Sequence, residues 1–248
     1  MISEELLLKQ HNLFTLFMLV VCIVLPFWGY KLKGKEIINR ISLLLIGFAL
    51  FQEFLDYINR LFIDELYILS IDKDLPFHLC HFGFYFSLLA IYYKCSNSTI
   101  GEKKVQFLFD IGFAIGFSGA LQGILTVDFA DINNTIGVVT AHLQHSLIIL
   151  NSLWLIFAYG MQFSLMGIFN FFIFLNALVL PLGIINYFLG SNYLFLCTAP
   201  NVANPLLVSS EWPYYIFIID ALSIVYMLVL YIPFIIYNKM IKRSSNES

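Results

Sequence analysis

Cys80 stands between His78 and His81, and a second histidine pair, His142 and His145, follows further along the chain. A thiol beside imidazoles can carry out nucleophilic acyl transfer: the thiolate attacks a carbonyl carbon, and a histidine takes the proton and later returns it. A free thiol titrates near about 8.5 and is mostly protonated at neutral pH, so it needs such a neighbour. The histidines of each pair are three apart, which puts both on one face of a helix. Four imidazoles with a carboxylate nearby are also a donor set for zinc. The spacing leaves the thiol chemistry and a zinc-dependent hydrolase both open, although the chain has no HExxH pattern. A third class, a transporter or a binding protein for lipids or small molecules, would place its site at mid-membrane between repeated halves, and no repeat is visible.

These residues lie in a chain that is 60% hydrophobic and 12% charged, with a mean hydropathy of +0.85. Ordinary soluble domains are roughly 25% charged, so a soluble fold is excluded. The net charge is −3 and the few charges sit between apolar runs, which offers no surface for nucleic acid. Membrane lipids and a small-molecule or lipid substrate remain as partners, with no cofactor implied. The four cysteines, Cys22, Cys80, Cys95 and Cys197, are too scattered for a disulfide framework; a Cys80–Cys197 bridge is left open. Lys outnumbers Arg ten to three, and Phe, Ile, Asn and Tyr abound, a bias expected of an AT-rich bacterial genome.

The residues must be positioned by helices. A span needs about 20 mostly apolar residues to cross about 30 Å of hydrocarbon. Seven segments qualify, at approximately 11–30, 37–58, 75–94, 105–127, 136–158, 163–186 and 212–237. The sequence therefore predicts an all-α polytopic membrane protein whose residues 1–248 form one seven-helix domain. Alternate loops hold ten Lys and Arg against three, and the basic set belongs inside. This gives an N-out, C-in topology, expected in the plasma membrane. Residues 187–211, apolar for a loop and punctuated by Pro200 and Pro205, are expected to fold over the outer face, because irregular backbone at membrane depth needs cover.

With the orientation set, each polar residue acquires a depth. Gln52, Glu53 and Asp56 end helix 2; His78, Cys80 and His81 begin helix 3; Gln122 lies one turn from the outer end of helix 4. His142, Gln144 and His145 sit in the outer half of helix 5, and Asn176 lies on helix 6. All fall in one layer, roughly 5–15 Å below the outer surface at 1.5 Å per residue. Since each needs a partner that lipid cannot supply, an outward-facing hydrated cavity is expected. In it Cys80 is the nucleophile available and His145 or His142 the base, with Glu53 or Asp56 orienting it. Gln52, Gln122 and Asn176 read as interhelical hydrogen-bonding residues. His11 is placed at the outer interface, and Pro76 in the first turn of helix 3.

Four stretches carry a family likeness: Leu75-Pro76-Phe77-His78-Leu79-Cys80; Gly119-Ala120-Leu121-Gln122-Gly123-Ile124-Leu125-Thr126; the helix 5 segment ending His145-Ser146-Leu147-Ile148; and Asn192-Tyr193-Leu194-Phe195-Leu196 with Pro200, continuing to Trp212-Pro213-Tyr214-Tyr215. On these the chain resembles the YwaF-like family of bacterial integral membrane proteins and, more distantly, eukaryotic transmembrane phospholipid acyltransferases. The resemblance implies a seven-helix fold, acyl transfer or lipid-ester hydrolysis, Cys80 as nucleophile and His145 as base. His142 is outside the matching pattern. Val208-Ser209-Ser210-Glu211 stands where relatives look Gly-rich.

Overall fold

The computed structural model describes residues 2–96, 100–200 and 207–246, with side chains in the last helix through 241. Among them the regular structure is entirely helical. The helices are α1 Glu4–Lys31, α2 Ile37–Ile58, α3 Leu79–Cys95, α4 Glu102–Leu125, α5 Thr135–Tyr159, α6 Leu165–Leu189 and α7 Tyr214–Asn246. A π-helical turn, Asn59–Ile63, prolongs α2, and another, Gly116–Ala120, lies inside α4. Six are long and apolar enough to cross a membrane. The seventh, α3, has 17 residues, about 26 Å at 1.5 Å each.

Helix ends follow local chemistry. The Asn134 side chain accepts from Gly137 N at the start of α5, and the Ser164 side chain accepts from Gly167 N at the start of α6, each satisfying an otherwise orphan donor. Gly160 and Gly190 close the same two helices at φ +73° and +66°, the left-handed conformation that glycine adopts without strain.

Helix α3 starts later than the sequence predicts. Its N-cap is His78, so Pro76 lies in the preceding turn rather than in the helix. Asp74 accounts for the delay: its carboxylate accepts from Arg60 Nη1 at 2.9 Å, from Ser70 N at 2.7 Å and from the Tyr67 hydroxyl. These bonds hold the approach to the helix in tight turns, and Leu75, preceding a proline, is disfavoured from the α region.

Helix α5 is central, in contact with α1, α2, α3 and α4, and contributes the fully buried Leu147, Ile148, Trp154 and Leu155. Helices α1, α6 and α7 present apolar side chains outward, among them Leu13, Leu180 and Phe217, as a lipid-facing surface requires. Glycines let α3 and α4 approach closely: Gly112 lies against the backbone of Ser87, and Gly83 against Ile115. At the other end of α4 from Cys80, a carboxylate with no signal in the sequence pattern ties α4 to α6. Buried Asp110 accepts from Gln106 Nε2 at 2.9 Å and from Ser164 N and Oγ at 3.2 and 2.9 Å, placing a carboxylate at a helix N-terminus.

Candidate active site

Cys80 and His145 each lie against a glycine of α4. A Cβ added to Gly119 would lie 3.8 Å from Cys80 Sγ, and one added to Gly123 only 2.8 Å from His145 Nε2. The two glycines are four residues apart, hence on successive turns of the same face. The thiol and the imidazole thus occupy neighbouring steps of a glycine track beside the π-helical turn Gly116–Ala120, a distortion frequent at functional sites. Cys80 is a free thiol and partly exposed.

His145 is held in one tautomer. Its Nδ1 lies 2.9 Å from the Ala141 carbonyl oxygen, which only accepts, so the proton sits on Nδ1 and the lone pair on Nε2. The backbone thereby does what the sequence expected of Glu53 or Asp56. Those carboxylates are engaged elsewhere. Asp56 pairs with Arg60 Nε at 2.7 Å and accepts from Thr140 Oγ1 at 2.6 Å. Glu53 bridges helices, accepting from Tyr85 OH and Gln144 Nε2 at 3.4 Å each. Gln52 donates to the Thr140 carbonyl at 3.0 Å, and Asn176 to Asp220 at 3.2 Å. Gln122, read as an interhelical hydrogen-bonding residue, is half-buried and its side chain makes no hydrogen bond among the described residues.

The second histidine pair separates. His142 turns towards α1, its ring 4.8 Å from that of His11. A proton-ordered chain follows from the partners. Thr15 Oγ1 donates to the His11 carbonyl at 2.9 Å and so accepts from His142 Nε2 at 2.8 Å, while Ser146 Oγ donates to His142 Nδ1 at 2.8 Å. His11 donates Nε2–H to the Ile124 carbonyl at 2.9 Å. His11 is 5% exposed, buried between helices rather than at the interface. With both His142 nitrogens committed, the four-histidine zinc set does not assemble, and among the described residues no three His, Cys, Asp or Glu side chains are grouped to hold a metal ion. His78 and His81 lie 6.2 Å apart by ring centroids, and His81 Nδ1 is buried without a hydrogen-bond partner.

An outer cover closes over His78. Tyr193, fully buried, packs edge-on against His78 at 5.1 Å and Phe77 at 5.5 Å. Its hydroxyl donates to the Ile71 carbonyl at 2.8 Å and accepts from Leu75 N at 3.1 Å. Leu194 and Phe195 follow at φ +56° and +52°, a conformation that strains side chains with a Cβ. The turn is held by Asn186, which caps Tyr193 N at 2.8 Å, by Trp212 Nε1 donating to Leu196 O at 3.0 Å, and by the Tyr215 hydroxyl donating to Phe195 O. Of the segment 187–211 expected to fold over the outer face, residues 187–189 still belong to α6, Tyr193 lies over Phe77 and His78, and Pro205 falls outside the described residues. Beside the cover, Arg60 joins Asp56, Asp74 and Tyr67. Burial, then the hydrogen bond to Asp74, pushes the Tyr67 phenol above its ordinary value. All four cysteines are free and Cys197 is exposed, so the Cys80–Cys197 bridge does not form.

Seven apolar helices around a polar outer layer define a polytopic membrane protein. The chain belongs to the TMEM164 family, which it matches over residues 6–231. Neither the curated proteins nor the solved structures contain a match to it.

Proposed function

We propose that the protein transfers or hydrolyses acyl chains of membrane lipids through an acyl-Cys80 intermediate, at a site facing the outside of a bacterial plasma membrane. The observation that carries this is the placement of Cys80 against Gly119 and of His145 against Gly123, four residues on along α4. The likeness to the YwaF-like family and its acyltransferase relatives supports it.

His145 Nε2 takes the Cys80 S–H proton across the one turn of α4 that separates Gly119 from Gly123. The thiolate attacks the lipid ester carbonyl, the C–O bond breaks, and the leaving alkoxide takes the proton from His145. In the second half, an acceptor hydroxyl or water gives its proton to Nε2 as its oxygen attacks the thioester. The Cys80 thiolate leaves and is reprotonated.

Cys80 is the second residue of α3, behind an N-cap whose side chain makes no capping bond. The Leu79 and Cys80 amides have no backbone acceptor among the described residues. Free amides at the positive end of a helix dipole stabilise the oxyanion of a tetrahedral intermediate. Water access to the thioester decides between hydrolysis and transfer.

The test is intact-mass analysis of purified protein in nanodiscs containing a phospholipid with an isotopically labelled acyl chain. A hydroxylamine-sensitive adduct of one acyl mass is expected on the wild type, absent from Cys80→Ala and reduced in His145→Gln. Lipid turnover that persists in Cys80→Ala sinks the nucleophile assignment. Lipid flux across liposomes that persists in that variant supports a carrier instead.

A further inference from the structure

At the opposite end of α3 and α4 from Cys80, a groove of about 400 Å³ opens between the two helices. Leu89 and Tyr93 form one wall, Phe107 and Leu108 the other, and Lys103 and Lys104 stand at its mouth. Both lysines are exposed, and the acids that could neutralise them are engaged. Glu102 pairs with Lys94 at 2.7 Å, and Asp110 is turned inward to Ser164. Among the described residues neither lysine forms an ion pair.

The groove is apolar along its length and cationic at its membrane-interface end, and the basic-residue count places that end at the inner leaflet. A ligand complementary to both parts carries an anion directly above a hydrocarbon chain. A zwitterionic lipid brings a cationic headgroup group to the same ammonium pair and loses the attraction. We propose that this groove is a binding site for an anionic phospholipid of the inner leaflet, its phosphate between Lys103 and Lys104 and one acyl chain along Leu89, Phe107 and Leu108. Basic pockets between membrane helices on this side recognise anionic headgroups by the same physics. The site is remote from Cys80 and independent of the acyl chemistry.

The test is native mass spectrometry of the full chain released from nanodiscs of equal phosphatidylglycerol and phosphatidylcholine content. The wild type is expected to retain phosphatidylglycerol about thirtyfold over phosphatidylcholine, the attraction of two interfacial lysines. The preference is expected to vanish in Lys103→Ala/Lys104→Ala and to survive in a Lys31→Ala/Lys239→Ala control. Leu108→Trp, which fills the groove and keeps both lysines, is expected to lower retention of both lipids. No preference in the wild type, or the same preference in the Lys103→Ala/Lys104→Ala variant, overturns the proposal.

Discussion

Cys80 and His145 come from different helices and both lie on the bare backbone of α4, the thiol against Gly119 and the imidazole on Gly123. The two contacts differ in tightness, and the difference is usable. A methyl at Gly119 has ordinary van der Waals room at 3.8 Å, whereas at Gly123 it would stand 2.8 Å from Nε2.

Gly123→Ala is therefore expected to displace the His145 ring and cut acyl-adduct formation by more than about tenfold, the cost of misplacing a catalytic group by a fraction of an ångström. Gly119→Ala is expected to retain most of it. Circular dichroism and the adduct assay, run on both variants, check this; equal loss in the two would remove the special role of the Gly123 contact.

His142 links α5 to α1 through Thr15 and is held on its own helix by Ser146. Replacing it with Ala is expected to cost about 1–2 kcal/mol of stability, read as a lower midpoint of thermal unfolding in detergent. Cys80 labelling by a thiol reagent should be preserved. A variant that loses acyl transfer at unchanged stability would contradict a structural role.

The cover depends on Tyr193. Tyr193→Phe keeps the ring packed on His78 but removes the bonds to Ile71 and Leu75, each contributing about 1 kcal/mol. Hydrogen exchange in residues 190–198 is expected to speed up several-fold, with the helices unchanged.

Tyr67 titrates above its ordinary value of 10.0 because it is buried and bonded to Asp74. A raised folded-state value means the unfolded chain loses this proton first, so stability is fully present below pH 10 and falls as the pH rises beyond it. Thermal unfolding between pH 9 and 11 should show this loss in the wild type and a weaker one in Tyr67→Phe.

Hydropathy alone determined the helical segments and the chain's place in a membrane, because a long apolar run has only one stable solution in lipid. The basic-residue asymmetry and the 1.5 Å rise then put Cys80 and His145 at a common depth. Depth is one coordinate. Which polar groups face one another depends on helix rotation, and that is set by packing across α5 and by glycines whose role shows only once a neighbour lies on them. Hence His142, at the right depth, points to Thr15; Asp56 is taken by Arg60; and a carbonyl one turn away orients His145. Single polar residues such as His11 and Asp110 carry no periodic signal, and only the tertiary structure supplies the partners that bury them.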